Sequence, residues 1–316
     1  MPNTLAHIGA QFPISRGISR SWDPRWIALG LLLPDVPWIL QRIALIALPF
    51  LSPITVRSYV VVLSTPLFCA VIAACIALCF ENGRTIFRIL FFQSLLHLVF
   101  DAFQQKGGVG VHFLAPFSWH AFSFPAYSMN GWLTHLLTLS GLIILILLLA
   151  GKIRFPKLDR PLLNQPRRIV PAILLLAIYS LGPLLLRHQV IDANVHDLKT
   201  WKGDGPRTGV TVHFDRAHYF PGDPGSIQDD FNPVPIPIIG VELPRESTIS
   251  TEAVFINEDT LWTATYVVHP RGERLTYTLL GLIGILLFWG YPVFKPYLER
   301  FYARIARMCH GPKTTR

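Results

Sequence analysis

Residues 94–120 read SLLHLVFDAFQQKGGVGVHFLAPFSWH and join an apolar helical pattern to a glycine-rich turn. His97 and Asp101 are four residues apart in the apolar part, so both lie on one face of the predicted helix. Ionisable side chains are costly inside a helix of membrane length, and those that occur usually mark a site. An imidazole and a carboxylate at this spacing can bind one divalent cation. The simpler interpretation is a hydrogen bond between the two side chains at the mouth of a helix bundle.

The composition indicates an integral membrane protein. Hydrophobic residues make up 51% of the 316-residue chain, and charged residues only 15%. A bilayer core needs about 20 apolar residues per helix, and five or six segments of this chain reach that length. We therefore expect a polytopic α-helical membrane protein with five or six transmembrane helices. The expected spans cover residues 26–51, 56–80, 85–103, 131–150, 169–186 and 275–294.

A polar break interrupts the first apolar segment at residues 33–37, which read LPDVP. Proline removes a backbone donor and disfavours helix in the residue before it, so we expect a kinked or broken segment with Asp35 at the break. Non-helical backbone at membrane depth is tolerated only where it is buried in protein or lines a wet cavity. Asp35 is thus a second candidate site residue, although a simple loop would also explain the break. A helix over residues 5–12, too short to span, precedes this segment and carries His7.

Residues 187–274 differ in character from the rest of the chain. They contain thirteen acidic residues and eight Lys or Arg, and apolar and polar residues alternate in several short runs. The alternation predicts strands over 210–215, 253–256 and 261–268. A segment of this size is enough for one small β-barrel or sandwich. We expect a small all-β domain here, with a surface that can bind a protein partner.

The distribution of basic residues predicts which parts face the cytoplasm. The loop 151–168 holds six Lys or Arg against one Asp, and the tail 295–316 is basic with apolar residues at helical spacing. Both features favour the cytoplasmic side of a bacterial inner membrane, with the tail lying on the lipid surface. The β domain and the end of the helix that bears Asp101 are then extracytoplasmic. The lipid bilayer is the expected partner, and no basic patch interleaved with aromatic residues favours nucleic acid.

The side of the N-terminus stays open. If residues 26–51 cross the bilayer once, the N-terminus is cytoplasmic and Asp35 lies near the inner third, as the arginines of the N-terminal segment favour. If they form a broken hairpin, the N-terminus is outside and Asp35 can approach Asp101.

Four short elements occur in an order and spacing similar to those of the YdjM family, over about residues 1–150. They are TLAH at 4–7, LLPD at 32–35, LHLVFD at 96–101 and the turn at 108–118. The family consists of inner-membrane proteins named as metal-dependent hydrolases and also described as LexA-binding. Its His-Arg-Gly-x-Thr-His element is missing here, because residues 57–68 read RSYVVVLSTPLF.

The resemblance implies a set of metal ligands. Carried over residue by residue, the ligand positions fall on His7, Asp35, His97 and Asp101, and His112 or His120 can stand in for the missing element. Imidazole and carboxylate ligands together suit zinc, manganese or iron. Two hypotheses follow. One is a metal-dependent hydrolase of the membrane, and the other is a non-catalytic membrane protein with a degenerate site, whose β domain binds a partner.

Overall fold

The computed structural model describes residues 3–105, 110–124, 126–128, 130–153, 159–232, 234–270, 272 and 274–290. The helices are α1 Thr4–Ile18, α2 Pro24–Leu32, α3 Val36–Ala47, α4 Pro53–Leu63, α5 Pro66–Leu78, α6 Gly83–Phe103, α7 Trp132–Leu149, α8 Pro166–Asp192, α9 Leu198–Lys202 and α10 Arg274–Gly290. The strands are β1 Gln104–Gln105, β2 Tyr127–Ser128, β3 Thr211–Phe220, β4 Gly225–Gln228, β5 Ile236–Ile239, β6 Ser247–Phe255, β7 Leu261–Trp262 and β8 Tyr266–His269.

Several of these helices can cross a membrane. Helices α6, α7 and α8 are long and apolar enough, and the number rises to five if each of two bent helix pairs is one span. The pairs are α2 with α3, bent by 54°, and α4 with α5, bent by 69°. The helical membrane part is therefore confirmed, while the count of five or six stays a prediction. The expected last span continues beyond the described residues at 290, and the tail 295–316 lies wholly outside them.

The two bends lie side by side. The first is the predicted break, because α2 ends at Leu32 and α3 begins at Val36. The second makes the continuous helix expected over 56–80 wrong, because Pro66 has no N–H to donate and disfavours helix in the residue before it. The Ser64 hydroxyl donates to the Pro34 carbonyl at 3.2 Å, so one break satisfies a backbone group of the other.

Helix α1 is longer than the predicted 5–12 and is buried in the bundle. Asn3 caps it by accepting a hydrogen bond from the Ala6 N–H at 2.9 Å. It runs antiparallel to α6, because His7 contacts Asp101 near one end and Ser15 accepts a hydrogen bond from Gln93 further along. The start of α1 is therefore at the Asp101 end of α6, and Arg16 in its last turn and Arg20 after it are at the opposite end.

Close backbone contact fixes α1 against α7. A Cβ built on Gly9 would lie 2.8 Å from the Gly141 N and still closer to the Leu137 carbonyl oxygen. Gly9 and Gly141 therefore allow an approach that a side chain would prevent, as small residues do between membrane helices. Asn3 also donates to the Thr138 hydroxyl across this contact at 2.9 Å.

Helix α2 also packs against α6 and runs parallel to it. Ser94 of α6 donates to the Gly30 carbonyl at 3.2 Å, and His97, one turn further on, bonds the Leu31 carbonyl. The two helices bury Ile27, Leu31, Ile86 and Leu90 together in one core. Asp35 is thereby carried to the level of His97.

The all-β domain is confirmed. Its strands follow the order β3-β4-β5-β7-β6-β8, and an additional pairing of β3 with β6 closes five of them into a small barrel. The barrel core includes Phe214, Tyr219 and Phe255, packed with Trp201 of α9. Residues 187–192, expected in this domain, instead belong to α8.

One buried histidine of the barrel predicts a dependence of its stability on pH. The Nε2 atom of His269 lies 2.8 Å from the Ser250 hydroxyl, and burial lowers the His269 pKa to about 4. The unfolded chain takes up this proton near pH ~6.5, so stability is present above that pH and is lost as the pH falls toward about 4. Between neutral and acidic pH, the melting temperature of His269→Gln should therefore fall less than that of the wild type. The measurement is a series of thermal unfolding curves at different pH, followed by circular dichroism.

The exposed His218 provides the matched control, because His218→Gln should keep the acid sensitivity of the wild type. An equal loss of melting temperature in His269→Gln and the wild type would contradict the assignment.

Candidate metal centre

Four side chains from three separate parts of the helical bundle meet in its interior. His7 comes from α1, Asp35 from the break between α2 and α3, and His97 and Asp101 from α6. All four are buried, and His97 is 0% exposed. The structure thus brings together the four residues that the family resemblance implies.

His97 lies at the centre of this cluster. Its Nε2 atom is 3.4 Å from the Asp35 Oδ1 and 3.8 Å from the Asp101 Oδ2. Its ring stacks on the His7 ring, with centroids 3.7 Å apart and planes inclined by 7°. The His7 Nε2 is 3.6 Å from the Asp101 Oδ1. These distances are longer than the usual hydrogen-bond range, so the polar atoms face one another without normal hydrogen bonds between them.

The spacing fits a metal ion. One ligand atom from each of His7, His97 and Asp101 lies within 4.8 Å of the other two, so this buried group could hold an ion. Two ligands of one tetrahedral zinc ion are about 3.3 Å apart, given bonds of about 2 Å. Asp35 is not in the group of three, but its 3.4 Å approach to His97 makes it an additional ligand candidate.

Hydrogen bonds hold both imidazoles with Nε2 toward the centre. The His97 Nδ1 donates to the Leu31 carbonyl at 2.6 Å, and because a carbonyl only accepts, the lone pair is left on Nε2. The His7 Nδ1 lies 2.9 Å from the Gln11 side-chain amide nitrogen and accepts from it, which places the proton of a neutral His7 on Nε2. A 180° rotation of this amide turns its oxygen toward Nδ1 and leaves the His7 Nε2 as a ligand too. Such bonds to the second ring nitrogen are typical of metal-binding histidines.

Buried atoms of this cluster lack hydrogen-bond partners. Within the described part of the chain, this holds for the His7 Nε2, the His97 Nε2 and the Asp35 Oδ1. Each buried unsatisfied atom costs about 1–3 kcal/mol. A cation at the centre would satisfy all three atoms, so the residues present fit a bound metal.

His112 and His120 are not brought into this group. His112 is held in the loop after α6, where its Nδ1 donates to the Trp119 carbonyl at 2.9 Å. His120 is exposed and contacts the Phe122 ring edge-on. The metal-binding group found among the described residues contains neither histidine.

A cavity of about 290 Å³ lies between the helical bundle and the β barrel. Asp101 reaches its wall, so the cavity joins the buried cluster to the barrel. His112 also lines it. The charged groups around it come from both parts of the protein, and they include Arg42, Arg57, Asp215, Arg216, Asp229 and Arg274.

Arg57 is held between two aromatic rings in this cavity. Its guanidinium carbon is 5.1 Å from the Trp38 ring of α3 and 4.8 Å from the Phe231 ring of the barrel. Within the described residues, its buried Nε has no hydrogen-bond partner. Packing against these two rings directs the Arg57 side chain into the protein.

Sequence reasoning missed a histidine–aspartate pair whose histidine, His213, lines the cavity. Asp197 accepts from the His213 N–H at 2.7 Å and lies 3.2 Å from its Nδ1, which raises the pKa of His213. Asp197 and its neighbour His196 have left-handed backbone, with φ of 60° and 50°, a strained conformation that is common at functional sites. No sequence signal reveals the pair, because its members are 16 residues apart and belong to different elements.

Comparison with known proteins does not add to this geometry. The chain matches no protein-family model, and searches of curated proteins and of solved structures find no similar protein. The resemblance to the YdjM family therefore depends on the four sequence elements alone.

Proposed function

We propose that this protein is a membrane-bound, metal-dependent hydrolase. The observation that carries the proposal is the convergence of His7, Asp35, His97 and Asp101, with unsatisfied ligand atoms turned toward one centre. The same four positions are those implied by the resemblance to the YdjM family. Zinc, manganese and iron all suit two imidazoles with one or two carboxylates.

Each residue has a part in this chemistry. A bound divalent ion lowers the pKa of a water to about 7 and polarises a carbonyl or phosphoryl group. Leu31 and Gln11 fix the two imidazoles, and the Asp35 and Asp101 carboxylates offset the charge of the ion. The surrounding helices exclude bulk water from the centre, while the cavity beside Asp101 admits substrate.

The proposed location is the bacterial inner membrane, with the cavity and the barrel outside. Arg16 in the last turn of α1 and Arg20 just after it lie at the end of the bundle opposite Asp101, which supports a cytoplasmic position for them. Trp26 at the start of α2 bonds Asp159 of the basic loop at 3.0 Å, which supports the same side for both. Asp35 still reaches His97. The basic residues favour a cytoplasmic position for the N-terminal arginines, and the shared site requires Asp35 near Asp101. The structure is compatible with both.

Metal removal tests the function. Full-length protein in detergent is treated with a chelator, dialysed and assayed against chromogenic esters of phosphate and of carboxylic acids. We expect hydrolysis to fall to background and to return when zinc, manganese or iron is added back, because the ion supplies the activated water. Hydrolysis that survives complete metal removal would contradict the proposal. Hydrolysis that is absent under all conditions, from protein that still melts cooperatively, would favour a non-catalytic membrane protein.

A further inference from the structure

We propose that the cavity between the helical bundle and the barrel binds the phosphate group of a phosphate ester, with Arg57 as its principal contact. This inference rests on the proposed hydrolase function only for the cleavage of the bound ester. Binding of the phosphate group is inferred from the residues that line the cavity. Neither the four sequence elements nor the comparisons assign a ligand to this place.

The first support is the state of Arg57. Stacking between Trp38 and Phe231 fixes the plane of its guanidinium. It makes no salt bridge within 4.0 Å to any described residue, although Asp229 and Asp230 line the same cavity. A preorganised guanidinium with unused donors is suited to bidentate recognition of phosphate.

The second support is the start of helix α5, which is independent of Arg57. Ser64 and Thr65 line the cavity, so the N-terminus of this 13-residue helix faces it. Thr65 does not cap the helix, because its hydroxyl donates to the Val62 carbonyl at 2.8 Å. The positive end of the helix dipole at this end favours an anion in the cavity.

The position of the cavity selects phosphate over carboxylate esters. Asp101 belongs both to the metal cluster and to the cavity wall, so the arginine cavity and the metal cluster border each other. A phosphate ester carries negative charge on the group that is cleaved, whereas the scissile carbonyl of a carboxylic ester is neutral. An arginine in the cavity that borders the metal cluster therefore fits a phosphoryl group.

Binding is measured by titration calorimetry on full-length protein in detergent, with the metal removed by chelation. The probes are inorganic phosphate and dihexanoyl phosphatidic acid. Wild-type protein should bind at least one of them, and Arg57→Gln should raise the Kd about 10- to 100-fold, as expected for lost charge-assisted hydrogen bonds. Arg57→Lys should give an intermediate Kd, because lysine keeps the positive charge but lacks the planar guanidinium that binds two phosphate oxygens at once. Arg88→Gln, an exposed arginine of α6 outside the cavity, is the matched control and should bind as the wild type does.

The outcomes separate the sources of the ligand. Tighter binding of dihexanoyl phosphatidic acid than of inorganic phosphate supports a lipid headgroup, and equal binding supports a soluble phosphate ester. If Arg57→Gln does not fold, Arg42→Gln replaces it and must also weaken binding. Failure of the wild type to bind either probe, or equal binding by all variants, overturns the proposal. Because no metal is present, this result does not depend on whether the protein hydrolyses anything.

Discussion

The double variant His97→Ala/Asp101→Ala is expected to lose its metal ion. His97 contacts every other member of the cluster, and Asp101 is the carboxylate of the three-residue group. Loss of a residue that only hydrogen-bonds a metal ligand typically lowers the affinity for the metal roughly 10- to 100-fold. Removal of two ligands should therefore reduce the metal occupancy to background. The measurement is metal content per chain of purified protein by inductively coupled plasma mass spectrometry, after loading with zinc, manganese or iron.

The matched control is the double variant His112→Ala/His120→Ala. Both histidines were candidate ligands in the sequence, and neither belongs to the metal-binding group. This variant should keep the metal content of the wild type. Metal content that is unchanged in the His97/Asp101 variant would remove the metal proposal and with it the hydrolase.

Gly9→Ala is expected to destabilise the bundle and to weaken metal binding together. A Cβ at this position meets the backbone of Leu137 and Gly141, which cannot rotate away as a side chain can. Helix α1 must therefore move from α7, at a cost of about 1–3 kcal/mol, as for other overpacked contacts. His7 is on the same helix, two residues earlier, so the movement also displaces a ligand. The checks are the melting temperature in detergent and the affinity for the metal.

Gly17→Ala on the same helix is the control for this prediction. A Cβ at Gly17 meets nothing within 4 Å. Alanine there should stabilise the protein by about 0.4–1 kcal/mol, because it restricts the unfolded chain. If Gly9→Ala melts at or above Gly17→Ala, the close packing of α1 on α7 is not a determinant of stability.

Much of the local structure followed from the sequence. The apolar segments became helices, the alternating segments became strands, and Pro34 broke the first apolar segment where expected. These features depend on residues near one another in the chain, where hydrophobic period and proline chemistry act directly. The break at Pro66 is also a local effect of proline, although the apolar residues around it predicted one continuous span.

The position of α1 could not be predicted from its own residues. Its pattern predicted only a helix over residues 5–12 that is too short to span the membrane, yet Gln11 and Ser15 are fully buried in the bundle. Ser15 can be buried because Gln93 of α6, far along the chain, bonds its hydroxyl, while the Gln11 amide bonds His7 on its own helix. The contribution of the barrel to the cavity was hidden for the same reason, because Phe231 meets Arg57 only after folding.

The residue pattern is enough to predict a helical membrane part joined to a small β domain, and the resemblance to the YdjM family implies the four polar residues of the cluster. That these four residues meet is visible only in the folded protein. The tertiary structure also decided that Arg57 faces a cavity and not lipid, and that His213 and Asp197 form a pair. The physical reason is that periodicity and turn chemistry are local, whereas a binding site depends on distances between elements that packing alone sets.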